Sequence, residues 1–234
     1  MRVCVILVLI VLSLASCSRS IDGEGSAEVN RNFSIADFTE ISVNGSFSVT
    51  LLPADSVYIS VNSHKNLIDN LSITNRGRKL TISETHEVDS HDKYDIFIYY
   101  IREINSIETF GSVNLQTGGT LTTNRLKLQT KDYSTVSEFQ LDAKDLEIES
   151  RDKSEVTLRG SSRAVRVKAR EMATVNLENL NTLTADLDMS GKSEVNINAS
   201  NELKGRVLEN SVLNYRNEPQ RNVELRDQGS INKL

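Results

Sequence analysis

From Phe38 onward, apolar and polar residues alternate in short runs, and a period of two is that of a β-strand with one buried face. Between residues 38 and 52 the inward set is Ile41, Val43, Phe47, Val49 and Leu51. The same alternation predicts strands at 57–61, 71–73, 80–82 and 96–101. Asn75-Arg76-Gly77-Arg78 carries the glycine of a tight reversal, and residues 65–71 suit one helical turn. The low proline content fits a chain whose backbone amides are nearly all needed in ladders.

From residue 131 the alternation becomes periodic. Lys131-Asp132-Tyr133-Ser134-Thr135-Val136 aligns with Arg151-Asp152-Lys153-Ser154-Glu155-Val156, with Arg170-Glu171-Met172-Ala173-Thr174-Val175, and with Ser190-Gly191-Lys192-Ser193-Glu194-Val195. The closing valines lie 20, 19 and 20 residues apart, and Val113, Val212 and Ile231 extend the series with looser spacing. Each valine opens an alternating pair such as Val156/Leu158 or Val175/Leu177. Half a repeat later comes a second pair: Leu126/Leu128, Leu146/Ile148, Val165/Val167 and Ala185/Leu187.

Two short strands per coil of about 20 residues, stacked in register, define an all-β parallel β-helix, in which each coil buries its inner face against its neighbours. Leucine-rich repeats share the period but need a Leu and Asn ladder that is absent here. A β-sandwich gives no reason for one polar hexad to recur before every other strand. Seven anchors at about 4.8 Å per coil would make a rod roughly 30 Å long, preceded by a less regular N-terminal β part.

The first residues set the compartment. Met1-Arg2 is followed by an apolar run to Ala15, of the length of a signal peptide and too short to span a bilayer. Leu14-Ala15-Ser16-Cys17 resembles a bacterial lipobox, which implies cleavage after residue 16 and lipidation of the Cys17 thiolate. Several acyl chains, at about 0.8 kcal/mol per buried methylene, anchor a protein stably without a transmembrane helix. The expected organisation is a signal peptide at 1–16, a lipidated and flexible tether at 17–29, and a solenoid at 30–234. Cys4 leaves with the signal and Cys17 carries the lipid, so the mature chain has no disulfide and depends on packing and backbone pairing.

The pattern Phe38-x-x-Ile41-x-Val43-x-Gly45-Ser46-Phe47-x-Val49-x-Leu51, then Asn66-Leu67, Leu80-Thr81-Ile82 and coils punctuated by Gly-Ser, resembles a lipoprotein family common in Bacteroidetes. That family is described as "putative auto-transporter adhesin, head GIN domain". The likeness covers residues 30–231. It implies a right-handed β-helix and a role in cell adhesion with no known biochemical activity, in a Gram-negative envelope and at the outer membrane. The family places Gly-Ser-Gly at each coil turn. This chain keeps only Gly111-Ser112, Ser190-Gly191 and Gly229-Ser230, and Lys/Arg-Asp/Glu replaces them elsewhere, which leaves the turn type open in those coils.

Against this frame, 27 basic and 32 acidic residues and a net charge of −5 argue against nucleic acid as a partner, since binding it needs a basic footprint. The candidate surface ladder is Lys131-Asp132, Arg151-Asp152 and Arg170-Glu171, stacked on adjacent coils; Arg226-Asp227 repeats the pair later. Carboxylates on neighbouring coils serve calcium binding or acid–base chemistry in some β-helix enzymes, but one carboxylate per coil reads better as a solvated corner of alternating charge. Residues 84–92 gather two histidines and four carboxylates in what reads as a polar hairpin loop, and His64 stands isolated. Asp55-Ser56-Val57 matches an O-glycosylation tripeptide. No Gly-x-Ser-x-Gly elbow or phosphate-cradling loop is present. The expectation is a non-catalytic, lipid-anchored module without cofactor or metal. Its partners would be the membrane and a glycan or envelope polymer. A carbohydrate-active β-helix enzyme and a ligand-free envelope spacer are the alternatives.

Overall fold

The computed structural model describes residues 20–234, so the expected signal peptide and the expected lipidation site Cys17 lie outside the described residues. An N-terminal cap comprises β1 (Ile21–Asp22), β2 (Val29–Ser34), β3 (Glu40–Gly45), β4 (Ser48–Pro53), β5 (Tyr58–Ser63), α1 (Lys65–Asp69), β6 (Leu71–Arg76), β7 (Lys79–Glu84), β8 (Val88–Ser90) and β9 (Tyr94–Tyr100). The wound part follows with β10 (Ser106–Gly111), β11 (Asn114–Thr117), β12 (Leu121–Thr130), β13 (Thr135–Ser150), β14 (Glu155–Ala169), β15 (Thr174–Met189) and β16 (Glu194–Val207). It closes with β17 (Val212–Arg216), β18 (Gln220–Leu225) and β19 (Ser230–Lys233). All but β1 and β8 join one 17-stranded sheet.

The wound part is a parallel β-solenoid of about 6 turns. One interior column runs Val49, Leu115, Val136, Val156, Val175, Val195, Leu213, Ile231. From Val49 to Val195 every member but one is a valine, and all seven up to Leu213 are fully excluded from water. Burial of each is worth about 1.5–3 kcal/mol. The second pairs stack as expected, Leu126 on Leu146 on Val165 on Ala185.

Two expected anchors shift. Val212 pairs with Glu194, one place before the column, and Leu213 holds the inward position. Val113 is buried two places before Leu115, beside the turn, where later coils carry Ser134, Ser154, Ala173, Ser193 and Ser211. The causes differ: the coil from Val195 to Leu213 is shorter than the central ones, so counting misses the inward residue, whereas at Leu115 the inward residue is no longer a valine and Val113 draws the eye instead.

The two strands per coil also merge. β13 runs unbroken for 16 residues and β14 for 15, bent at register shifts between Val136 and Phe139 and between Thr157 and Arg159. At the outer bend Thr123, Ser162 and Thr182 each donate to the carbonyl two residues on, at 3.1, 3.2 and 3.2 Å, which turns the chain while its ladder bonds persist.

In the cap, β6 and β7 form the antiparallel hairpin expected around Gly77, which sits at φ 64°, and α1 is the expected helical turn. The Tyr94 hydroxyl donates to the Leu67 carbonyl at 3.1 Å, tying α1 to β9. Two expectations need revision here. Residues 84–92 are no plain hairpin loop: Val88 is buried and β8 pairs in parallel with β1. The stretch expected as a tether is docked from Ser20 on, through that same pairing. His64 is buried, with Nδ1 3.2 Å from the Gly25 carbonyl. The polarity of residues 20–25 does not signal freedom, because their backbone groups and small side chains are consumed in pairing.

Candidate functional site

The expected ladder of turn residues does align, and its acidic members do structural work. Gly111, Asp132, Asp152, Glu171, Gly191 and Glu209 form one column at φ 76°, 62°, 64°, 55°, 83° and 57°. The turn is thus of one type in these coils, with carboxylates at Asp132, Asp152, Glu171 and Glu209 standing where Gly111 and Gly191 stand in the other two. Backbone bonds link the turns: Tyr133 N–H donates to Gly111, Lys153 to Asp132 and Met172 to Asp152, at 2.9–3.0 Å. Asp132 also accepts from the Gly111 amide at 2.9 Å, and Asp152 from the Asp132 amide at 3.4 Å.

Two of the three basic members are also engaged. Lys131 lies over the Phe110 ring, 4.9 Å from its centroid. Arg170 donates to the Asp188 carboxylate and to its carbonyl, each at 2.6 Å. Arg151 is exposed. Tyr133 and Met172 stand outward beside this column, 62% and 50% exposed, with the Lys153 ammonium 5.1 Å from the Tyr133 centroid.

A second charged surface escaped the repeat-based reading. On the face after the outer bend, Lys168 bridges Glu149 at 2.7 Å and Glu147 at 3.8 Å, while Asp188 holds Arg170 and Arg206. Hydrogen bonding from Lys168 holds the Glu149 carboxyl below the usual carboxylate range, and Glu149 raises Lys168 in turn. The signal was available, since outward residues flanking Ile148, Val167 and Leu187 alternate in charge from coil to coil. These charges are mutually satisfied and leave little for a ligand.

The outer bend bounds a groove of about 610 Å³ that crosses the coils from Glu103 to Asn217. Its lining is mostly amides and hydroxyls, with Glu103, Asp142 and Lys144 as charged members. Asn217 donates to Asn198 and Asn198 to Asn181, the latter at 3.1 Å, while Ser161 donates to Asp142 at 2.9 Å. Leu183, 53% exposed, is its apolar wall. Arg163 lines it too, but its guanidinium is drawn over the bend to Asp145 at 2.9 Å. Every coil but that of Asp142 and Lys144 therefore offers uncharged donors or acceptors, at the strand spacing of about 4.8 Å. This site was missed because its residues are weakly similar between coils: Asn, Ser and Asp occupy one column.

A smaller pocket of about 420 Å³ lies in the cap between Gly45, Glu84, Asp89 and Gly111. Burial pushes the Glu84 carboxyl up to about 7, against the stabilising amide of Ser46 at 3.2 Å, with the Glu87 charge adding to the rise. Among the described residues it is the one carboxylate raised in this way, and no group of three or more His, Cys, Asp or Glu is placed to hold a metal. His91, by contrast, points Nε2 at the Ser46 carbonyl, 3.0 Å away.

A long parallel solenoid with hydrogen-bonded polar columns and a shallow axial groove defines a class of repetitive, surface-presenting β-helix proteins. The family model "Putative auto-transporter adhesin, head GIN domain" matches residues 37–219, and the chain belongs to that family. A crystal structure of a putative adhesin from Bacteroides fragilis superposes with a TM-score of 0.85 at 16% identity, covering 92% of this chain and 100% of the other. A putative lipid binding protein from Parabacteroides distasonis gives 0.72 at 20% identity, with 92% and 100% covered. A putative adhesin from Parabacteroides merdae gives 0.63 at 16%, with 92% and 99% covered. These likenesses establish the fold. No curated protein matches the sequence.

Proposed function

We propose that the protein is a lipid-anchored module of the cell envelope that holds a glycan or other envelope polymer along its axial groove and does not turn it over. The observation that carries the reading is the groove itself, with amides and hydroxyls recurring from coil to coil and the charges of the face after the bend already paired. Many weak contacts summed along a chain give affinity by avidity, whereas catalysis needs a few perturbed groups converging in one pocket. Membership in an adhesin-type family supports an adhesion role, and the lipobox at Cys17 supports the anchor. The lipid-binding description of one neighbour finds less support in the solenoid interior, which is filled by side chains and leaves no enclosed space for an acyl chain among the described residues.

A glycan array probed with the mature chain carrying Cys17→Ser tests the reading, followed by titration against any polymer retained. Weak binding without cleavage is expected. The turn ladder is the competing surface: loss of binding on changing Arg151, Asp152 and Arg170 together, with the groove variants neutral, would move the site there.

A further inference from the structure

The link between Cys17 and the docked segment is short enough to orient the molecule on a membrane. Ser20 donates to Asp89, the Ile21 amide to the Glu87 carbonyl at 2.9 Å, and the Gly23 amide to the Ser90 carbonyl at 2.8 Å. Asn66 clamps the other edge, giving a bond to the Asp22 carbonyl at 2.7 Å and accepting one from the Glu24 amide at 3.0 Å. Beneath the segment lies His64, 2% exposed, and a Cβ at Gly23 would sit 2.4 Å from its ring. Gly23 thus permits close approach of the segment to the cap.

Ser20 is three residues from Cys17, a span of at most about 11 Å. A free tether of the length expected from the sequence would instead allow an r.m.s. reach of about 20 Å and any tilt. All partners of the docked segment belong to the N-terminal cap, while the groove lies on the coils from Glu103 to Asn217.

We propose that the cap surface around Ser20, Lys65 and Glu87 is held face-on to the lipid bilayer, and that the coil stack carries the groove away from it. This rests on the lipid-anchor reading of Cys17. The exposed rim is acidic, with Asp22, Glu24, Glu87, Asp89 and Asp92, and residues 20–28 and 86–92 carry no Phe, Tyr or Trp. Such a rim rests on a zwitterionic headgroup layer without inserting, and the acyl chains alone supply the affinity.

The acylated mature chain has no free thiol, so single labels can be placed by Lys65→Cys in the cap and Asn222→Cys on β18. On phosphatidylcholine vesicles doped with a nitroxide-headgroup lipid, fluorophore quenching should be several-fold stronger at position 65 than at 222. A long Gly-Ser insert between Arg19 and Ser20 should erase most of that difference, and Gly23→Val, which displaces the segment from His64, should do so with the solenoid still folded. Equal quenching at both positions in the uninterrupted chain overturns the orientation while leaving the anchor intact. A chain that fails to bind the vesicles at all overturns the anchor reading and the orientation with it.

Discussion

The Asp132 carboxylate accepts a hydrogen bond from the Gly111 amide one coil earlier, at 2.9 Å, while its own backbone sits at φ 62°. A side chain in the left-handed region costs energy that glycine avoids, and here the bond between coils offsets part of it. The turn column therefore holds two kinds of member, carboxylates that return a contact and those that do not.

Glu171 is the test of that distinction, being exposed at φ 55° with no side-chain hydrogen bond. Glu171→Gly should raise stability by about 0.5–1 kcal/mol. Asp132→Gly should be close to neutral, because it relieves strain and forfeits the Gly111 contact. Gly191→Val should destabilise by about 2 kcal/mol or more, since its Cβ would lie 2.7 Å from the Glu171 carbonyl oxygen. Chemical denaturation midpoints read all three, and an equal response at Glu171 and Asp132 would contradict the account.

The register of the solenoid makes a sharper demand. Val175 is fully buried between Val156 and Val195, so Val175→Asp should cost several kcal/mol by burying an unpaired charge. Glu155→Lys, at an exposed position just after a turn, should change stability by less than about 0.5 kcal/mol. Similar losses at the two sites, measured by urea unfolding, would mean the inward set is wrong.

Glu84 gives a pH signature. Its folded-state pKa of about 7 exceeds the ordinary 4.5, so the folded protein holds this proton more tightly than the unfolded chain. The stability it lends is complete below about 4.5 and is lost as pH rises to about 7 and beyond. Glu84→Gln keeps an acceptor for the Ser46 amide and removes the titration. Its advantage over the parent should be near zero at acid pH and roughly 1–2 kcal/mol in mild alkali, with allowance for partial solvation. A pH-independent difference in Tm would show that the carboxyl is not desolvated.

Much of the solenoid could be read from the chain because one inward column with a near-constant residue, valine, repeats at near-constant spacing. Where coils shorten, at Leu213, or where the inward residue changes type, at Leu115, counting alone chose the wrong neighbour. Docking of residues 20–25 was invisible because the partners, His64, Asn66 and Ser90, lie far away in sequence and the contacts run largely through backbone. The groove was hidden for a related reason: Asp142, Ser161, Asn181 and Asn198 share a column and are all polar, but only the last two share a residue type. The turn carboxylates drew notice through identity, yet several of their oxygens are spent on the preceding coil.

Calorimetric titration of the mature Cys17→Ser chain with an envelope polysaccharide retained on the array tests the central claim most directly, with reducing-end release followed in the same samples. Single changes Asn181→Ala, Asn198→Ala and Asn217→Ala should each weaken binding a few-fold, the triple variant should lose most of it, and no new reducing ends should appear. Depolymerisation by the parent chain, abolished by one carboxylate change such as Asp142→Asn or Glu84→Gln, would contradict the account and make the groove or the cap pocket an active site.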